Sequence, residues 1–417
     1  MIVDWRHKGF GPGLQGLDTA AIAVGRPSLF GGGFTSPVAV LKESALSANI
    51  ETMARFFRDR EVAHAPHGKT TLAPAIAQRQ VATGAWGITT SSVREVRLYY
   101  QHGLRRFFLA NQVLDPDELR WLADTLRRDP EFTVSCYVDS VDTVRIAAVA
   151  LAGSPIGTPP LPVVLEVGAA GGRAGVRDRA AAIAVARAAA AEPAIRLIGV
   201  AGYEGILDDD APPRPDGPVT TFLRELCMVL DALLAEQVVD TSGPVLLSAG
   251  GSVYLDVAAD ILTAHRPAGA DVTVLLRSGA YVTHDEGIYL EASPLSARRD
   301  VPNPLRPAFE LWSRIISVPE PGLAIADFGR RDAPHDSGLP VPREIRRDGR
   351  SIPLAAESRI EGINDQHAYV RADGVEAAVG DWLRCGISHP CTAFDRWRLI
   401  PIVDDDYAVV DVIEVFA

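Results

Sequence analysis

Three short stretches hold residues whose types and spacing could do chemistry. The first, "HAPHGKTTLAP", places Lys69 directly after Gly68 and ahead of a turn into an Ala-rich helical segment, with His67 just upstream. A lysine so placed can be a solvated charge, a phosphate ligand or a nucleophile. The upstream glycine of a Walker loop is missing from "HGKTT", which makes a simple phosphate-binding role a poor reading. The second stretch, "LSAGGS", sets Gly250 and Gly251 between Ser248 and Ser252. Paired glycines let backbone N–H groups turn inward, and Ser252 is placed to cap the next helix, so the stretch reads as an anion cup. The third, "SHPC", separates His389 from Cys391 by one residue. An H-x-C pair on an extended segment presents two ligands to one metal, and imidazole with thiolate suits zinc.

The elements that must position these residues can be read from periodicity. Eight short apolar runs alternate with helical patterns: Val62–Ala65, Gly87–Thr90, Arg106–Ala110, Thr133–Asp139, Pro162–Val167, Arg196–Ala201, Val245–Ser248 and Val272–Leu276. A helix over Ala45–Asp59 precedes the first of them. That alternation predicts an α/β fold built on a (β/α)8 TIM-like barrel, with an open doubly wound sheet as the structural alternative. Beyond residue 290 the texture becomes β-rich and punctuated by Gly, Pro and Asp, which predicts an all-β domain. The expected organisation is an N-terminal arm over 1–43 packing on the β domain, a barrel over 44–289 and the β domain over 290–417. "LDDDAPPRPDGP", Leu207–Pro218, reads as a solvated loop.

Composition narrows the class. A net charge of −12 argues against nucleic-acid and anionic-membrane partners. No apolar run approaches the roughly 18 residues that span a bilayer, and the start "MIVDWRHKGFGPG" has no apolar signal core. Four scattered cysteines without a CxxC pair predict reduced thiols and a cytoplasmic protein.

Parallel barrels collect function at the C-terminal ends of their strands, and phosphate sites recur after the seventh and eighth. Lys69 follows the first candidate strand and "LSAGGS" the seventh, so a lysine and a phosphate cup share one rim. That combination points to a pyridoxal 5'-phosphate enzyme in which the lysine forms the Schiff base.

At this point a resemblance becomes specific. "PHGKTT", "GAWGITTSS", "LANQV", "LSAGGS", "LRSGAYVTHDEGIY" and "GISHPCTAFDRW" together resemble the D-serine dehydratase and D-threonine aldolase family. These are fold-type III pyridoxal phosphate enzymes with an alanine-racemase-like barrel and a C-terminal β domain, and the bacterial amino acid deaminase (D-serine deaminase-like) branch is most similar. The resemblance implies that Lys69 is the Schiff-base lysine and catalytic base. It implies a divalent metal, zinc by ligand type, on His389 and Cys391, because His-x-Cys is the dehydratase-like pair and His-x-Asp the aldolase-like one. It places Arg173 near the cofactor's phenolic oxygen. Tyr203, ending the sixth strand, is positioned to meet the pyridine ring. Arg277 and Tyr281, after the eighth, are positioned to touch the phosphate or the substrate carboxylate. Ser248, Gly250, Gly251 and Ser252 complete the expected cofactor set. His67 either lines the pocket or satisfies a turn.

The expected reaction is elimination of water and then ammonia from a D-β-hydroxy amino acid resembling D-serine, giving an α-keto acid, in a homodimeric enzyme. The alternative is retro-aldol cleavage of such a substrate to glycine and an aldehyde. A racemase would need a second base, and none is identified. A cofactor carrier without turnover would leave the β domain and its H-x-C pair unexplained.

Overall fold

The computed structural model describes residues 1–210, 212–298 and 301–417. Ala211, within the loop expected over 207–218, lies outside the described residues, as do Arg299 and Asp300. In chain order the elements are α1 (Thr19–Gly25), β1 (Val38–Lys42), α2 (Glu43–Arg58), β2 (Ala63–His64), α3 (Pro74–Ala82), β3 (Ile88–Thr90), α4 (Val93–Gln101), β4 (Arg106–Gln112), α5 (Pro116–Arg128), β5 (Thr133–Val138) and α6 (Val141–Leu151). There follow β6 (Leu161–Val167), α7 (Arg179–Ala190), β7 (Ile195–Gly202), α8 (Pro218–Ala235), β8 (Val245–Ala249), α9 (Leu255–Ala264), β9 (Val272–Leu276) and α10 (Ile288–Ala292). The remaining strands are β10 (Phe309–Glu320), β11 (Leu323–Ala326), β12 (Val341–Arg347), β13 (Arg350–Pro353), β14 (Arg359–Ile363), β15 (Ala368–Arg371), β16 (Trp382–Gly386), β17 (Leu399–Val403) and β18 (Val409–Glu414).

These elements form two compact units. One comprises residues 53–69 and 77–279; the other comprises 1–52, 70–76 and 280–417.

The first unit is the barrel. Eight strands, β2 to β9, pair in parallel in the order β2-β9-β8-β7-β6-β5-β4-β3. The ring closes where Trp86 N–H donates to the His64 carbonyl at 2.7 Å and Thr89 N–H to the Pro66 carbonyl at 2.9 Å. The closed sheet decides against the open doubly wound alternative. Its interior is filled by one inward residue from most strands: Ala65, Phe108, Tyr137, Val164, Ala201, Leu246 and Leu275. Phe108 and Tyr137 meet edge to face at 5.5 Å, a favoured aromatic geometry. At Gly199 a side chain would sit 2.0 Å from the Leu246 carbonyl, so only glycine lets β7 and β8 approach there.

Helix starts follow from local chemistry. Ser92, Asp115, Ser140 and Asp178 cap α4, α5, α6 and α7 with side-chain oxygens, and Thr143 completes a reciprocal capping box with Ser140. The expected solvated loop contributes Asp209, whose carboxylate accepts from Val219 N–H at 3.2 Å in the first turn of α8.

The second unit is all-β apart from short helices. Its main sheet runs β13-β12-β16-β10-β1-β17-β18, and β11, β14 and β15 extend from β10. Pairing is antiparallel except between β1 and β17. The N-terminal segment builds this core: Phe30 packs against Trp312, Trp382 and Tyr407 at 4.8, 5.5 and 5.1 Å. Among the described residues no helix is long and apolar enough to cross a membrane.

Candidate active site

Within the barrel unit, Lys69 lies in a single 3-10 turn, Gly68–Thr70, at the C-terminal end of β2. Tyr99 fixes that turn by donating its hydroxyl to the Gly68 carbonyl at 2.7 Å. The Lys69 side chain is exposed. Nearby, His67 carries a buried Nδ1 with no hydrogen-bond partner among the described residues. Burial holds its pKa well below the ordinary imidazole value, reinforced by the positive charges of Lys69, Arg277 and Arg173. His67 is therefore neutral, and an acceptor or a weak donor rather than a cation.

The loop after β8 differs from the cup read in the sequence. Gly250 N–H donates to Glu204 Oε2 at 3.0 Å and Gly251 N–H to Oε1 at 2.7 Å. Glu204, fully buried in the turn that follows β7, thus spends both glycine donors. Ser248 is spent as well: its hydroxyl donates to the Leu275 carbonyl at 2.7 Å and accepts from Arg277 Nε at 2.9 Å. Ser252 does not cap α9; that position belongs to Tyr254, because the chain bends once more over residues 252–254 before the helix begins. The half-exposed Ser252 is the loop residue whose hydroxyl remains open, with no side-chain hydrogen bond among the described residues.

Arg277 is 4% exposed. Its guanidinium donates to Ser248 and, through Nη2 at 2.5 Å, to the Gly202 carbonyl, and lies over the Phe108 and Tyr137 rings at 5.0 and 5.7 Å. No carboxylate comes within ion-pair distance of it among the described residues. A buried cation facing aromatic rings rather than an anion is an open invitation to an electron-rich ligand. The Tyr137 hydroxyl, also buried, has no hydrogen-bond partner among the described residues. Exposed Arg173 stacks over Tyr203 at 4.6 Å, so these two expected residues do meet. Tyr281 belongs to the other unit, buried in a 3-10 turn over Ala280–Val282.

Those observations fit an aromatic, anionic cofactor. Orphaned polar atoms on His67 and Tyr137, an unpaired Arg277, an open Ser252 and an accessible Lys69 all belong to the strand ends of one barrel. Lys69, Arg173, Tyr203, Ser252 and Arg277 remain the residues able to hold pyridoxal phosphate; Ser248, Gly250 and Gly251 shape the loop instead.

The metal pair lies in the β unit. His389 and Cys391 are both half-buried in the segment after β16. The Cys391 Sγ lies 3.7 Å from the Thr70 hydroxyl, and His389 Nδ1 lies 2.6 Å from Asp336 Oδ2. The Cys391 sulfur and then Asp336 raise the His389 pKa to about 9, against the effect of burial. A soft thiol and an imidazole whose other nitrogen is held by a carboxylate suit zinc. Among the described residues no third His, Cys, Asp or Glu completes a metal cluster with them. The other three cysteines are buried and free.

Sequence reasoning missed Glu204 and Asp336. The only local signal was a carboxylate beside an expected site residue, in "GYEG", and another in "PHDSG".

Residues 41–240 match the alanine racemase N-terminal domain, and residues 308–403 the putative serine dehydratase domain. The chain is similar to a 3-hydroxy-D-aspartate aldolase of Paracoccus denitrificans (strain Pd 1222), at 25% identity over 79% of this chain and 78% of that one. It is equally similar, at 25% identity over 92% of each, to a D-threonine aldolase of Arthrobacter sp. Its fold matches that of D-threonine aldolase from Filomicrobium marinum with a TM-score of 0.74, at 23% identity over 92% of this chain and 95% of that one. It also matches D-threo-3-hydroxyaspartate dehydratase from Delftia sp. HT23 with a TM-score of 0.68, at 22% identity over 92% and 97%.

Proposed function

We propose that this chain, which matches an alanine racemase N-terminal domain and a putative serine dehydratase domain, is a fold-type III pyridoxal phosphate enzyme that eliminates water and ammonia from a D-β-hydroxy amino acid resembling D-serine, giving an α-keto acid. The observation that carries the reading is the donor set at His389 and Cys391, an imidazole and a thiol inside the residues that match the dehydratase domain. The similarity to two enzymes named for D-β-hydroxy amino acids supports the substrate class.

Bound pyridoxal phosphate would supply an electron sink that makes the substrate α-proton acidic. Lys69 would carry the cofactor and, once released, take that proton, since its amine is free to move at the end of β2. Ser252 would hold the phosphate, and Arg277, fixed by Ser248 and Gly202, would present its guanidinium to the ring system. Arg173 and Tyr203 would flank the cofactor as a stacked pair. Neutral His67 would accept or give a hydrogen bond without adding charge. His389 and Cys391 would hold a metal, which would supply the Lewis-acid assistance that a hydroxide leaving group needs. The balance is one D-serine giving pyruvate and ammonium, with the water lost in elimination regained in hydrolysis.

Retro-aldol cleavage is the second reading, favoured by the names of the two curated relatives described above. A product assay on D-serine, D-threonine and 3-hydroxy-D-aspartate separates them. A keto acid with ammonia supports the dehydratase; glycine with an aldehyde overturns it in favour of the aldolase.

A further inference from the structure

Glu204 is a buried carboxylate with an unusual occupation. It stands in the turn after β7, and its two oxygens take the N–H groups of consecutive residues, Gly250 and Gly251, 46 and 47 positions further along. Successive inward N–H groups are the usual seat of an external anion. Here the protein fills that seat itself. The same turn is gripped from the opposite side, where the Ser278 hydroxyl donates to the Gly251 carbonyl at 2.8 Å. Its flanks are closed too: a Cβ on Gly250 would come within 3.0 Å of Arg277 Nη2 and of Tyr203 Cδ2, and one on Gly251 within 2.5 Å of Glu204 Oε1. Gly251 is therefore required by the approach of Glu204, and Gly250 by the approach of Arg277 and Tyr203.

We propose that Glu204 is a positioning residue for the cofactor's phosphate: by holding the Gly250 and Gly251 N–H groups it freezes the turn so that Ser252 is the loop residue left open to the phosphate. The inference rests on the reading that this barrel binds pyridoxal phosphate. Glu204 acts through the turn and touches neither cofactor nor substrate. Its carboxylate is suited to the task because it accepts at both oxygens. A glutamine of the same shape accepts at one and presents an N–H to the other glycine N–H, which leaves a buried donor unpaired.

The test compares two ligands on cofactor-stripped protein by absorbance titration: pyridoxal phosphate, and pyridoxal, which lacks the phosphate. In Glu204→Gln, affinity for pyridoxal phosphate should fall by about tenfold or more, the cost of one unpaired buried donor, while affinity for pyridoxal stays at the wild-type value. Equal weakening for both ligands would mean that Glu204 supports the barrel generally, and unchanged affinity for both would remove it from the site; either overturns the proposal. Wild-type protein that binds neither ligand would overturn the cofactor reading instead. Should Glu204→Gln fail to fold, Gly251→Ala presses on the same contact from the other side. It must show the same selective loss, and equal loss for both ligands would again overturn the proposal.

Discussion

His389 Nδ1 stands 2.6 Å from Asp336 Oδ2, and the other oxygen of that carboxylate accepts from the Thr392 hydroxyl at 3.0 Å. That carboxylate holds Nδ1, so Nε2 is the nitrogen that would meet a metal. Carboxylates behind ligating histidines commonly matter by 10–100-fold in metal affinity. Asp336→Asn should therefore weaken zinc binding by roughly that 10–100-fold, measured by competition with a chromogenic chelator. Unchanged zinc affinity would detach Asp336 from the metal.

Lys69 makes a second prediction. Purified protein should be yellow, and borohydride should fix the cofactor irreversibly on the peptide that carries Lys69. Lys69→Ala should give no adduct. Mass mapping that placed the cofactor on another lysine would overturn the assignment of the barrel site.

The barrel should lose stability in acid through His64. Burial lowers its pKa to about 4, opposed only in part by its bond to the Ser278 carbonyl at 3.0 Å. The unfolded chain binds that proton near its ordinary value of about 6.5, so between the two values the unfolded state holds more protons. This contribution is complete above about pH 6.5 and is lost as pH falls towards 4, by up to about 3 kcal/mol. Buried Asp285, raised to about 6, acts in the opposite direction. The difference between wild type and His64→Gln cancels it, since glutamine can still donate to Ser278. Urea midpoints from pH 7 to 4.5 should fall further for wild type than for the variant; parallel curves would contradict the assignment.

The barrel was legible because its signal is local. Runs such as Thr133–Asp139 and Val272–Leu276 are apolar and bounded by turns, and they end within a residue or two of the strands observed. Lys69, Ser252 and Arg277 could be placed at strand ends for the same reason. What escaped depends on partners far along the chain. Nothing near Glu204 announces that Gly250 and Gly251 will return to meet it, so the glycines read as a phosphate cup with free donors. Asp336 lies 53 residues before His389, with β12 to β16 between them. Ser252 misled for a smaller reason: a serine after two glycines has the composition of a helix cap, yet one further bend moved the helix start to Tyr254.

The claim that the H-x-C pair drives departure of the β-hydroxyl is tested most directly by changing the leaving group. Elimination rates are measured on D-serine and on β-chloro-D-alanine, for wild type with and without chelator and for Cys391→Ser. Chloride leaves without Lewis-acid help, whereas hydroxide needs several kcal/mol of it, on the order of a thousandfold in rate. The account predicts that chelation and Cys391→Ser abolish elimination from D-serine and largely spare β-chloro-D-alanine, with added zinc restoring only the chelated wild type. Equal losses on both substrates would contradict it, because the metal would then be shaping the site rather than carrying away the hydroxyl.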